Sequence, residues 1–412
     1  MSKKNKMVPT LRFPGFTDAW EERKLGEILA LLKDGTHGTH KDVNEGVYLL
    51  SAKNIKNGQI LIDKTDRKIS EKEYKVIHKN FSLEKGDVLL TIVGSIGECA
   101  VLDNPAGITF QRSVAYLRPN NNINSEFLYT TINSGKFQRE LKTRQVTSAQ
   151  PGIYLGNLSV IPIQTPLVDE QIKIGLFFKQ LDALITLHQR KLGHLQDRKK
   201  ALLQQLFPKN GETVPQLRFP GFTKEWNERK LGDLCDIMSG CAGDISLNTG
   251  AYNVTRIETI SNGVIDENKV GFLNEKPKIQ FLLNIGDILF SHINSLAHIG
   301  KVAIYQSENA LYHGINLLRI IPNVKIDSWF LYYQFVTENK KNWSKAHANK
   351  AVNQASINQT ALSEQLFSVP QVEEQQLIGN FFKQVDDSIV LQQQKLSHLQ
   401  EQKKSLLQQL FI

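Results

Sequence analysis

Val168-Asp169-Glu170-Gln171 opens, and Leu202-Leu203-Gln204-Gln205-Leu206-Phe207 closes, a stretch that this chain contains twice. Residues 168–208 match residues 372–412 at an offset of 204, with 26 of 41 positions identical. Each copy opens just after a proline (Pro166, Pro370) and carries acidic residues in its first turn, Asp169-Glu170 and Glu373-Glu374, where the helix dipole favours negative charge. No proline intervenes before Pro208, so the spacing predicts uninterrupted helices of about 38 residues, roughly 57 Å long. Apolar positions recur at intervals of four and three. One set is Ile174, Leu181, His188, Leu195 and Leu202, and the other is Phe178, Ile185, Leu192, Lys199 and Leu206. The second copy repeats them as Ile378, Val385, Gln392, Leu399, Leu406 and Phe382, Ile389, Leu396, Lys403, Leu410. More than three heptads on this pattern predict a coiled-coil seam. An antiparallel register with Leu192 on Leu399 and Leu195 on Leu396 also sets His188 on Lys403, Lys199 on Gln392, Ile185 on Leu406 and Leu181 on Leu410. Polar layers then meet polar layers. Packing of each helix on its own domain, or pairing between molecules, is the alternative.

A second block also repeats. Leu11-Arg12-Phe13-Pro14-Gly15-Phe16-Thr17 returns as Leu217-Arg218-Phe219-Pro220-Gly221-Phe222-Thr223, and Trp20 and Lys24-Leu25-Gly26 return as Trp226 and Lys230-Leu231-Gly232. Phe13-Pro14-Gly15-Phe16 with Trp20 reads as a turn capping a domain core. Between the repeated blocks the halves diverge, with only a faint common frame: Gly86-Asp87-Val88-Leu89-Leu90 answers Gly286-Asp287-Ile288-Leu289-Phe290. Short β-rich runs at 88–93, 114–117, 288–290 and 301–305, punctuated by turn residues, predict strands, and helical pieces are expected over about 126–142 and 327–342. The reading is α+β: two domains with different middles, on a duplicated scaffold. An antiparallel helix pair would relate the two domains by a pseudo-two-fold axis, so that they approach one face of a duplex as symmetric dimers do.

Composition narrows the partners. With 412 residues, 41% hydrophobic and 22% charged, the chain reads as a globular protein of two or three domains. No run reaches the roughly 18 apolar residues of a membrane span, and the basic start Met1–Met7 is followed by no apolar stretch. Three scattered cysteines, Cys99, Cys235 and Cys241, suit a reduced, cytoplasmic protein. The formal net charge of +9 favours a polyanionic partner.

Basic clusters occupy corresponding places in the halves: Lys136, Arg139, Lys142 and Arg144 before Gln150, and Lys340, Lys341, Lys345, His347 and Lys350 before Asn353-Gln354. Lysine and arginine track phosphates, while Gln and Asn can bond adenine bidentately. The polar loop containing Thr36, His37 and Thr39 offers hydroxyl and imidazole groups to base edges. Lys53, Asn54 and Arg256, near the first hairpin of each half, are further candidates. For any one cluster the alternative is an ordinary solvated surface. Catalytic signatures are missing from the sequence. There is no phosphate-binding Gly-x-x-x-x-Gly-Lys loop, Asn104-Pro105-Ala106 falls short of an adenine-methyltransferase motif, and Glu73-Tyr74-Lys75 has no upstream Pro-Asp. His37 and His40 make at best half a metal site, so no metal site is expected.

The order of these blocks resembles the specificity subunit of Type I restriction-modification systems, over essentially the whole chain. The residues carrying the resemblance are Phe13-Pro14-Gly15-Phe16 with Trp20, Lys85-Gly86-Asp87, Gly94-Ser95-Ile96-Gly97, Val168-Asp169-Glu170-Gln171 and their second-half counterparts. Gly94–Gly97 lacks a clean copy near Asn294–Gly300. The resemblance implies target recognition domains at 1–167 and 209–371, with spacer helices at 168–208 and 372–412. Each domain would read one half of a split, asymmetric DNA site. The helices would set the gap and dock two methyltransferase subunits, and two ATP-driven translocase/nuclease subunits would complete the complex. S-adenosylmethionine, ATP and Mg would then sit on partners, with no cofactor in this chain. A fused methyltransferase and a protein-binding coiled-coil scaffold are the rival readings.

Overall fold

The computed structural model describes residues 8–146, 151–209, 211–242, 247–261, 263–351 and 354–411. The chain divides into two compact units, Met1–Arg190 with Gln394–Ile412, and Lys191–Gln393. Each unit therefore takes one domain, the start of the helix that follows it and the end of the other long helix.

In the first unit a four-stranded antiparallel sheet runs in the order Leu29–Asp34, Val114–Pro119, Val88–Thr91, Cys99–Val101. The second unit repeats that order with Cys235–Ser239, Leu318–Pro322, Ile288–Phe290 and Val302–Ile304. The central strands are continuous apolar runs because both faces are covered: Val88–Thr91 and Ile288–Phe290 are buried throughout. A two-stranded clasp closes each domain, Glu21–Lys24 on Pro162–Thr165 and Asn227–Lys230 on Leu366–Val369.

The helical pieces expected at 126–142 and 327–342 are each two helices. Ser125–Ile132 is followed by Gly135–Thr143, and Ser328–Phe335 by Glu338–His347. The break comes where a hydroxyl competes for backbone donors: Ser134 Oγ accepts from Phe137 N at 3.2 Å and Thr337 Oγ1 from Lys340 N at 3.5 Å. The long helices run Val168–Gln205 and Val372–Leu410 as the periodicity predicts.

The variable parts keep related strand pairings under different sequences. In the first unit Val47–Leu50 pairs with Lys68–Ile69 and with Ile108–Phe110, and Asn57-Gly58, both at positive φ, turn the hairpin Ile55–Lys56/Gln59–Ile60. The second unit likewise pairs Tyr252–Val254 antiparallel with Gly271–Leu273, and Val254 makes a parallel bridge to Tyr312. Asn349–Ala351 and Gln354–Ser356 pair with each other and the latter with Ile293–Asn294, where the first unit has the bridges Val93–Gly152 and Val146–Gly152.

Candidate nucleic-acid interface and its helical mount

The two units hold their domains on the helices with the same set of side chains. Arg12 reaches Glu170 with Nε at 3.0 Å and Nη2 at 2.7 Å, and Arg218 reaches Glu374 at 2.7 and 2.8 Å. Both carboxylates are buried, so these are bidentate, desolvated pairs, and the carboxylate beside each arginine raises its pKa. The second acid of each first turn thus does more than oppose the helix dipole. Beside it, the buried Gln171 amide donates to Pro166 O and Asn122 O and accepts from Asn124 N; Gln375 does the same with Pro370 O, Lys325 O and Asp327 N. Gly175 and Gly379 let each helix approach the short helix beside it: a Cβ there would stand 2.8 Å from Phe127 N and 2.9 Å from Phe330 N. Phe13 meets Phe177, and Phe219 meets Phe381, edge-on at 5.9 Å. The repeated Phe-Pro-Gly-Phe turn accordingly caps the junction between domain and helix.

The end of the other long helix plugs the same junction. In the first unit Leu407, Leu410 and Phe411 join Trp20, Phe127, Ile174 and Phe178 in one buried cluster, with Leu181 and Leu406 at its edge. In the second unit Leu206 and Phe207 lie with Trp226, Phe330, Ile378 and Phe382. The start of one helix thus meets the end of the other, which makes the pairing antiparallel. The seam lysines also have carboxylate partners that the expected layers did not include. Lys403 Nζ bonds Asp182 Oδ1 at 2.5 Å, and Lys199 Nζ bonds Asp386 Oδ1 at 2.5 Å. These carboxylates precede the expected partners, His188 and Gln392, by six positions (188 − 182; 392 − 386), about 9 Å along a helix. The remaining seam positions, Ile185, Leu192, Leu195, Leu202, Val385, Ile389, Leu396 and Leu399, are all buried or half-buried, while Leu184, Leu187, Val390 and Leu391 between them are exposed.

Above the mount, the basic candidates fall on matching helices. Arg139 and Lys142 are exposed on Gly135–Thr143, and Arg144, at its C-cap, pairs with Glu140. On Glu338–His347, Lys341 and Lys345 are exposed, and His347 stacks on Trp343 with ring centres 4.3 Å apart. Lys350 and Gln354 are exposed on the adjoining hairpin. Gln150 and Asn353 lie outside the described residues.

Lys136 and Lys340, near the starts of the same two helices, differ from these exposed residues. Both are half-buried, and desolvation lowers both pKa values, that of Lys340 to about 8. Lys340 donates to Leu366 O and lies 4.3 Å from the centre of the Phe367 ring, so it packs against the clasp.

The first-hairpin candidates separate in the same way. Asn54 is buried, and its amide is engaged within the fold by Ser51 N, Leu61 O and Asp66. Lys53 is exposed but pairs with Asp66 at 2.7 Å. Arg256 is half-buried, 3.5 Å from Leu247 O. In the polar loop, Thr36 Oγ1 meets His40 Nε2 at 2.8 Å and His37 Nε2 meets Asp34 Oδ2 at 2.5 Å. His37 and Thr39 remain exposed at its tip.

Two reader-like surfaces on duplicated mounts define a class of DNA specificity proteins, and comparison with known proteins places the chain within it. The Type I restriction modification DNA specificity domain matches residues 17–196 and again 223–401, and the chain belongs to that family. A putative type I restriction enzyme MjaX specificity subunit of Methanocaldococcus jannaschii is 39% identical over 194 residues, which are 46% of each chain. The type I restriction enzyme MjaVIII specificity subunit of the same organism is 24% identical over 96% of this chain and 92% of its own. The crystal structure of a Type I restriction-modification S subunit from M. genitalium shares the fold, with a TM-score of 0.59 at 16% identity over 98% of this chain and 99% of that one.

Proposed function

We propose that each domain reads one half of a bipartite, asymmetric DNA site for a Type I restriction-modification complex, and that the chain itself performs no catalysis. The observation carrying this reading is one mount used twice beneath two different surfaces. The devices Arg12–Glu170 and Gln171 recur as Arg218–Glu374 and Gln375, whereas the segments between the repeated blocks share only a faint frame of sequence and so present different side chains. A scaffold kept constant under divergent surfaces suits two targets held in a set relation.

In this reading Arg139, Lys142, Lys341, Lys345 and Lys350 neutralise phosphates, and Gln354 and the tip at His37 and Thr39 face base edges. The helices carry their seam on through Leu192, Leu195, Leu396 and Leu399, set the gap between half-sites and dock two methyltransferase subunits. Those subunits use S-adenosylmethionine to methylate adenine, and two translocase/nuclease subunits act on unmodified DNA. A DNA titration of the chain with its methyltransferase partner tests the reading. Affinity should fall steeply with salt and select a split sequence. Binding indifferent to salt and sequence would instead favour the scaffold reading.

A further inference from the structure

We propose that Tyr129–Asp182–Lys403 and Tyr333–Asp386–Lys199 are positioning residues that lock the register of the helix pair at each domain, and through it the gap between half-sites. The second clause rests on the reader function; the first does not.

Each cluster draws one residue from three segments distant in sequence. The tyrosine comes from the short helix of the recognition domain, the aspartate from the long helix that follows, and the lysine from the end of the other long helix. The aspartates and lysines correspond at one offset, 182 to 386 and 199 to 403 each being 204 apart, while the tyrosines come from neighbouring positions, the fifth residue of Ser125–Ile132 and the sixth of Ser328–Phe335. Both carboxylate oxygens are used in both copies. Tyr129 donates to Asp182 Oδ2 at 3.2 Å and Tyr333 to Asp386 Oδ2 at 2.8 Å, while the lysines take Oδ1. Burial and the adjacent carboxylate hold both tyrosines protonated, so each hydroxyl remains a donor. The lysine side chains are only 21% exposed, which limits screening by salt. Lys199 also stands 5.4 Å from the centre of the Tyr333 ring.

Apolar packing alone leaves this register open. The plugs read Leu202-Leu203-x-x-Leu206-Phe207 and Leu406-Leu407-x-x-Leu410-Phe411, so a slip of four residues puts one leucine pair where another apolar pair was. That slip moves a helix by about 6 Å at little cost in buried area. A directional, charged contact does not survive it, which is how isolated polar residues specify register in coiled coils. In the first unit the lock extends into the domain. The hairpin turn at Gly58 lies so close to Tyr129 that a Cβ would come within 2.3 Å of the hydroxyl oxygen.

The test uses the full chain carrying spin labels at the exposed Ala183 and Gln402, with Cys241→Ser to remove the half-buried thiol. The unaltered clusters should give a single distance. Lys403→Met keeps the aliphatic stem and Tyr129→Phe removes only a hydroxyl; each should add a population displaced by about 6 Å. In co-expression with the methyltransferase, the same variants and Lys199→Met should broaden the single gap of the methylated motif. Asp182→Lys combined with Lys403→Asp should restore both readouts. One unchanged distance and one unchanged gap in the variants would overturn the proposal, whatever the fall in melting temperature. Should Lys403→Met fail to fold, Tyr129→Phe decides by the same outcomes. A wild-type complex that methylates no split site contradicts the reader function, while the spin-label distances still judge the lock.

Discussion

Replacing Arg218 by methionine should be among the most damaging single changes away from the apolar core. Glu374 would lose two charge-assisted hydrogen bonds of 2.7 and 2.8 Å, and its fully buried carboxylate has no route to water. Breaking a buried pair from one side costs about 3–5 kcal/mol, because the remaining charge is uncompensated. The unit containing the pair spans 203 residues (191 to 393), a size at which 1 kcal/mol moves the melting temperature by about 2–4 °C. The expected loss is therefore roughly 6–20 °C. Tryptophan fluorescence during urea or thermal unfolding reports it, since Trp226, Trp329 and Trp343 all belong to this unit. Arg218→Met with Glu374→Met should recover most of the loss, because apolar residues of similar volume can replace a buried pair at little cost. A single-variant loss below about 1 kcal/mol, the worth of an exposed pair, would refute the reasoning. So would a double variant no more stable than the single one.

Other consequences are equally open to measurement. Asn54→Ala should destabilise by about 1–3 kcal/mol through its unpaired buried partners; because the amide is engaged within the fold, the methylated sequence should not change, and a changed target would show otherwise. Lys142→Ala or Lys345→Ala should weaken DNA binding evenly across sequences and reduce the salt slope by about one, whereas an unchanged slope would place that lysine off the DNA. Burial lowers the pKa of His313 from 6.5 to about 4, so between these values the unfolded chain binds the proton that the folded one refuses. Stability should consequently fall as pH drops from 6.5 to 4, by about 3 kcal/mol at the lower end. His313→Gln should flatten that part of the curve, and an equal slope in both proteins would assign it to other groups.

Periodicity made the long helices legible, since Ile174 to Leu206 and Ile378 to Leu410 keep one spacing throughout. The strands were legible because their apolar runs are short and bounded by turns, as at Gly286-Asp287 before Ile288–Phe290. The break at Asn133-Ser134 was not, because Ser134 suits a helix surface as well as a cap until its hydroxyl finds Phe137 N. Asn54 and Lys340 illustrate the limit for site residues: composition marks them as polar and basic, but only the folded neighbourhood shows their polar atoms already used. The lock at Asp182 went unread because a seam argument weighs apolar positions, and Asp182 lies beside the seam. A signal did exist. Arg12, Glu170, Gln171, Asp182 and Lys199 are each identical in the second half, at Arg218, Glu374, Gln375, Asp386 and Lys403.

Sequencing of adenine methylation across a genome, after co-expression of this chain with a Type I methyltransferase subunit, decides whether the chain selects a split DNA site. A new motif of two different half-sites with one constant gap should appear, and only when both proteins are present. Methylation of the same sequence without this chain, or a stable complex that adds no split motif, would contradict that selection.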